Sequence, residues 1–174
     1  MKLSVKRLTL CALLAALALG LSYVEGYFPL TLLIPLPGVK LGLANIVTLF
    51  ALLQLGAPAA FAVLLVRCLL GAMFAGNVSA LLFSLLGGLL AMSLMALLRF
   101  TPLSVYGISV AGAAAHQCGQ VAAAMLVLRS TAPLGYLPLL LVVSVFTGAI
   151  TGLITALLCR SFENSGFSNR FTSR

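Results

Sequence analysis

Acidic residues are almost missing from this chain: Glu25 and Glu163 are the only two among 174 residues, and aspartate does not occur. That scarcity excludes a catalytic carboxylate pair inside the fold, because two acids would have to share one site. Histidine occurs once, at His116, with no acid near it in sequence, so no nucleophile–base arrangement is present. The four cysteines, Cys11, Cys68, Cys118 and Cys159, stand singly, without CxxC or histidine spacing. They read as small buried hydrophobes rather than a metal site or a disulfide framework. A Walker motif is also missing, so the chain does not hydrolyse ATP by itself. No cofactor-binding signature stands in place of these, and the chain is expected to be non-catalytic. Charge of either sign is scarce: 7% of residues are charged, against about 25% in an ordinary soluble domain.

What fills the sequence instead is apolar. Hydrophobic residues make up 63% of the chain and the mean hydropathy is +1.24. The solvent for most of this surface is therefore lipid, and the protein reads as integral to a membrane. A formal net charge of +8 would suggest nucleic acid in a soluble protein. Here the cations are better explained as topology signals at helix ends, and no nucleic-acid partner is expected.

In chain order, a basic start (Lys2, Lys6, Arg7) leads into an apolar run ending near Glu25 and Gly26. The pattern also fits a signal peptide, with Ala16 and Ala18 as small residues for cleavage. Hydrophobicity resumes at once, and the remaining helices need a partner, so the run is taken as a retained first helix. Within it Ala12, Ala16 and Gly20 recur every four residues and form a ridge with little side-chain bulk, open to close helix approach. Residues 27–39 are apolar but hold Pro29, Pro35 and Pro37, which predicts an ordered outer loop or a partly inserted cap. The spacing then predicts helices over residues 41–56, 58–75, 79–98, 104–128 and 136–159, with a GxxxG at Gly148 and Gly152 in the last. The expected architecture is all-α: a polytopic six-helix transmembrane bundle over residues 1–160, followed by a polar cytoplasmic tail over 161–174. Six spans put both termini on one side. With that side cytoplasmic, Lys2, Lys6, Arg7, Arg99, Arg160, Arg170 and Arg174 lie inside, and only Lys40 and Arg129 lie outside.

The polar residues within spans are the candidates for function, since ionisable groups in lipid are costly. The stretch PLPGVKLGLANIVTLFALLQLG carries Lys40 at its mouth and, three apart on one face, Asn45 and Thr48. Taken alone, it reads as a snorkelling lysine and an amide that glues helices, more than as a site. Arg67 lies near mid-span with no acid close in sequence. It either faces a water-filled cavity and binds an anion or pegs backbone carbonyls. In GISVAGAAAHQCGQVAAAM, Gly112, His116 and Gln120 are spaced by four, flanked by Ala115, Gly119 and Ala123. That small, polar stripe favours ligand lining over packing alone; a proton relay is a further use of the histidine. Glu25, Lys40 and Asn77 map to outer helix ends, so Lys40, Arg67 and His116 are expected to line a descent from outside. The cationic bias points to a phosphate or carboxylate on the substrate, unless Glu25 neutralises Lys40.

Taken together, PLPGVKLGLANIVTLFALL, RCLLGAMFAG, SLLGGLLAMSLMALL and GISVAGAAAHQCGQVAAAML resemble, in order and spacing, a small membrane family. It is named both heptaprenyl diphosphate synthase component I and Gx transporter. The likeness covers roughly residues 8–158. One departure is Gln117, where the family pattern has asparagine. The family is in turn similar to the substrate-binding S components of energy-coupling-factor (ECF) transporters. This resemblance implies a six-helix protein whose first helix docks a transmembrane coupling subunit seated on two ATPases. Ala12, Ala16 and Gly20 would be the docking ridge and residues 27–39 a lid over the substrate. The synthase name meets a chemical obstacle: prenyl elongation needs aspartate clusters to hold magnesium and diphosphates, and this chain has none.

The expectation is a substrate-binding transport subunit of the cytoplasmic membrane that captures a small molecule from outside. A vitamin, a flavin, or an isoprenoid or quinone precursor fits that description. Lys40, Asn45, Arg67, Asn77, His116 and Gln120 are the candidate substrate residues. The alternative is a non-catalytic accessory subunit of a prenyl diphosphate or quinone biosynthesis enzyme, or of a membrane redox complex.

Overall fold

The computed structural model describes residues 5–26 and 40–164. Among the described residues six α-helices follow one another: α1 (Val5–Glu25), α2 (Asn45–Leu55), α3 (Ala57–Ala75), α4 (Val78–Leu98), α5 (Val105–Leu128) and α6 (Leu137–Asn164). A 3-10 turn, Ala132–Tyr136, precedes α6. The predicted boundaries of α3, α4 and α5 hold to within a residue, because each is set by local chemistry. Gly56 and Gly76 take positive φ (89° and 60°) at the joints around α3, Asn77 caps α4 by accepting from the Ser79 N–H, and Ser104 caps α5 by accepting from the Gly107 N–H. At its C-terminus α6 runs past the expected end at residue 159 to Asn164. The proline-rich lid over residues 27–39, Lys2, and the tail beyond residue 164, with Arg170 and Arg174, lie outside the described residues.

All helices except α2 are long and apolar enough to cross a membrane, and the chain is a multi-pass membrane protein. The exception corrects the expected span over residues 41–56. Only 11 residues are helical, about 16 Å of rise against roughly 30 Å of hydrocarbon. It starts late because Gly42 sits at φ +88°, which no regular helix contains. Its first turn is nonetheless buried (Ala44 1%, Asn45 7% exposed). Irregular backbone at this depth persists only where protein satisfies its polar groups.

α1 supplies that at both ends of α2. The Glu25 carboxylate accepts hydrogen bonds from the consecutive Gly42 and Leu43 N–H groups, where the chain turns into α2. Eighteen residues back, the Arg7 guanidinium donates to the carbonyl of Leu55, the last residue of α2. Anion at the N-terminus and cation at the C-terminus match the orphan groups and the macrodipole of the short helix. The same end of the bundle holds the C-terminal part of α6: the Phe50 and Phe162 rings meet edge to face at 5.4 Å. The start of α1 and the end of α6 therefore share one face, the basic end, with Lys6, Arg7, Arg99 and Arg160.

Close backbone approach joins α4, α5 and α6. A Cβ on Gly119 would stand 2.5 Å from the Leu86 carbonyl oxygen, and one on Gly148 would stand 2.6 Å from the Val110 Cα. The GxxxG of α6 is thus spent on α5, with Ser109 and Thr151 hydroxyls bonded across the seam at 2.7 Å. The ridge of α1 has the opposite setting. Ala12, Ala16 and Gly20 are exposed, and a Cβ on Gly20 meets nothing within 4 Å. Cys68 and Cys159 are buried as expected, whereas Cys118 faces outward from α5.

Gly119→Ala is expected to lower unfolding stability by about 1–3 kcal/mol through overpacking, while Gly20→Ala changes it by less than about 0.5 kcal/mol. In a Cys11→Ser, Cys118→Ser background, a thiol-reactive dye that reports exposure of Cys68 and Cys159 on heating in detergent measures both; equal shifts would contradict the packing described.

A buried polar cluster at the start of helix α2

Polar side chains from several helices meet where α2 begins. Gln120, on α5, accepts the Lys40 N–H at its Oε1 (3.0 Å), and Gln117, one turn earlier, donates its Nε2 to the Lys40 carbonyl (3.1 Å). Two amides of one helix thus hold both backbone groups of Lys40, just ahead of the turn that Glu25 holds. This contact fixes more than the loop. With Oε1 taken by a donor, the Gln120 Nε2 is the group facing His116 Nε2 at 3.0 Å. An amide NH2 only donates, so His116 Nε2 accepts and the ring proton sits on Nδ1. The Gly87 backbone lies against that edge of the ring as a poorly aligned acceptor, and Nδ1 has no well-formed hydrogen bond among the described residues.

Arg67 reaches the same region from α3. Its Nη1 donates to the Ser22 hydroxyl at 3.3 Å, whereas Nε and Nη2 have no partner among the described residues. A Cβ on Gly88 would lie 3.3 Å from Nη2, and one on Gly87 would lie 2.9 Å from His116 Nδ1, so two successive glycines of α4 make room for the two side chains. Asn45 joins from α2: a Cβ on Gly42 would meet its Nδ2 and the His116 Cδ2, each at 3.1 Å. Both ends of the Asn45 amide and the Gln117 Oε1 likewise have no partner among the described residues. Exposure is 7% for Asn45, 6% for Arg67, 4% for His116 and 1% for Gln117. Leaving such groups unmade costs about 1–3 kcal/mol each, a cost that a hydrogen-bonding ligand would offset. The cluster's free hydrogens, on Arg67, His116 and Asn45, outnumber its free acceptors, and its chemistry suits an anion.

Of the six candidates read from the sequence, Asn45, Arg67, His116 and Gln120 come together here. Lys40 contributes its backbone and also lines a cavity between α1 and α3. Asn77 does not take part: it is exposed at the opposite end from Arg99 and spends its oxygen capping α4. Sequence reasoning noted Gln117 only as a departure from the family pattern and passed over Ser22. Gln117 adjoins His116, and helical geometry turns a neighbour to another face; only the fold, by bringing Lys40 across α5, gives both amides one target. Ser22 carried no signal, being an ordinary serine near a helix end.

The Glu25 contact is the most exposed to test. Glu25→Ala is expected to cost about 1–3 kcal/mol, because two buried N–H groups lose their acceptor, and Glu25→Gln less, because an oxygen remains. Thermal unfolding followed through Cys68 and Cys159 checks this; an unchanged Ala variant would mean that α2 is held elsewhere.

A family model described as heptaprenyl diphosphate synthase component I matches residues 14–158, which take in nearly all of the helical bundle and every residue of the cluster. No curated protein and no solved structure matches the chain. With its polar groups gathered within this matched region, the chain belongs to the heptaprenyl diphosphate synthase component I family.

Proposed function

We propose that this protein is the substrate-binding subunit of a membrane transporter, similar to an ECF transporter S component, and that it captures a small anionic molecule. The observation that carries this reading is the convergence, in a buried site, of donors on Arg67, His116 and Asn45 that have no partner among the described residues. Low dielectric strengthens an anion's contacts there. The basic end, with Lys6, Arg7, Arg99 and Arg160, is assigned to the cytoplasm by the bias of cations toward that side. The cluster then lies toward the outside, where a substrate arrives. A vitamin, a flavin, or an isoprenoid or quinone precursor with a carboxylate or phosphate meets the chemistry.

The uncovered ridge of Ala12, Ala16 and Gly20 supports a partner on α1. In this reading it docks a transmembrane coupling subunit, and ATPases bound to that subunit supply the energy. The second reading takes the family name as its support: a non-catalytic membrane subunit of a prenyl diphosphate or quinone pathway enzyme, or of a membrane redox complex. The absence of aspartate assigns any prenyl transfer to the partner in that case.

Native mass spectrometry of the protein, purified gently from its own host's membranes, tests the proposal. A bound anionic metabolite together with a coupling subunit and ATPases is expected. In Ala12→Trp the partner is expected to be lost and the metabolite kept, since Ala12 is exposed on the ridge and remote from the cluster. Recovery of a prenyl synthase partner and no metabolite would establish the second reading instead.

A further inference from the structure

Two features of the buried cluster narrow its ligand beyond negative charge. The first is the edge that Arg67 presents. Its Nη1 donates to the Ser22 hydroxyl, and the atoms without a partner among the described residues are Nε and Nη2. In a planar guanidinium those two nitrogens share one edge, and their hydrogens point the same way. Such an edge matches the two oxygens of a carboxylate, one bond to each. The charge of the region agrees with a single negative group. Lys40 and Arg67 both act electrostatically on Glu25, whose carboxylate already accepts from Gly42 and Leu43. Two cations and one carboxylate leave one positive charge over. A monoanion balances it, whereas a phosphate monoester or diphosphate brings more negative charge than the site can pair, and unpaired buried charge is costly.

The second feature is a need for hydrogens as well as for charge. Asn45 is buried with both Nδ2 and Oδ1 lacking a partner among the described residues. A bare anion satisfies only Nδ2, and its oxygens repel Oδ1. Gln117 adds another acceptor: its Nε2 is engaged by the Lys40 carbonyl, and its buried Oε1 has no partner among the described residues. A group that offers C=O and N–H side by side answers both ends of Asn45, and a second N–H answers Gln117. Primary amides, lactams and ureides have that edge. We infer that the ligand of this site is a monocarboxylate bearing such an amide, its carboxylate on the Nε–Nη2 edge of Arg67 and its amide against Asn45 and Gln117. The inference rests on the transport reading, which makes the cluster an anion site, and it removes isoprenoid phosphates, which carry no N–H, from the substrate class.

The probes are the monoamides of succinic, glutaric and adipic acid, which set the carboxylate and amide at increasing separation. The monomethyl esters of the same acids keep the carboxylate and carbonyl but lack the N–H; dimethylallyl phosphate is an anion with neither. Each is titrated into the full-length protein in a maltoside detergent, after native mass spectrometry shows it free of small molecules, and affinity is read from the rise in melting temperature with concentration. One monoamide is expected to bind roughly tenfold or more tightly than its ester, because the ester leaves buried oxygens unpaired. Asn45→Leu should erase that preference without lowering the melting temperature of the probe-free protein, since the Asn45 amide has no partner to lose among the described residues. Arg67→Lys, which keeps the charge but not the edge, should weaken monoamide and ester alike by roughly tenfold or more. Equal affinity for amide and ester, or a preference that survives in Asn45→Leu, overturns the inference. Binding of dimethylallyl phosphate alone, lost in Arg67→Lys, would overturn the amide class and leave anion capture standing. A response to no probe overturns the inference too, and the transport reading falls with it only if the protein from its own host's membranes carries no metabolite.

Discussion

The contact between the Glu25 carboxylate and the Gly42 and Leu43 amides holds the rest of the structure in place. Without an acceptor there, the bundle would contain bare backbone donors at the start of a helix too short to span the bilayer. With it, α2 can begin inside the protein, its positive end neutralised and its negative end closed by Arg7 from the same partner helix. One helix thereby clamps another at both ends. A chain with only two acids uses one of them for this purpose.

The late start of α2 opens the space that the polar cluster occupies. A helix running on through residues 41–44 would carry side chains where Gly42 now lies against Asn45 and His116. Instead the backbone of Lys40 crosses α5 and is held by Gln117 and Gln120. That contact passes through Gln120 to the tautomer of His116, and leaves a hydrogen on Nδ1 beside the free donors of Arg67 and Asn45. Three hydrogen bonds in sequence thus convert a loop position into the polarity of a buried site. The glycines of α4 complete it, since any side chain at Gly87 or Gly88 would meet His116 or Leu64 and Arg67.

Much of this was legible in the sequence, and what was not has a physical cause. Helix ends at Gly56, Gly76 and Ser104 depend on neighbours a few residues away, so composition and capping patterns reveal them. The small-residue stripe around His116 read as ligand lining ahead of packing, and one part of it, Gly119, is taken up by close approach to the α4 backbone at Leu86. The true start of α2 was hidden, because it depends on Glu25 seventeen residues earlier and on a positive φ at Gly42. The pairing of Gln117 with Lys40 spans 77 residues and leaves no local trace. Asn77 shows the converse: a polar residue at a helix start already had a local use as a cap, and the sequence Asn77-Val78-Ser79 carried that signal.

Arg67 decides whether the cluster is a binding site or a structural peg, and one substitution separates the two. Arg67→Met keeps length and apolar stem while removing the charge. The measurement is thermal and chemical unfolding of wild type and Arg67→Met, with native mass spectrometry showing each free of small molecules. A guanidinium held with Nε and Nη2 free for a ligand destabilises the empty protein, so the account predicts that Arg67→Met is at least as stable as wild type. A loss of about 3–5 kcal/mol, the cost of leaving a buried partner charge such as Glu25 uncompensated, would show that Arg67 holds the fold together and would contradict the ligand site.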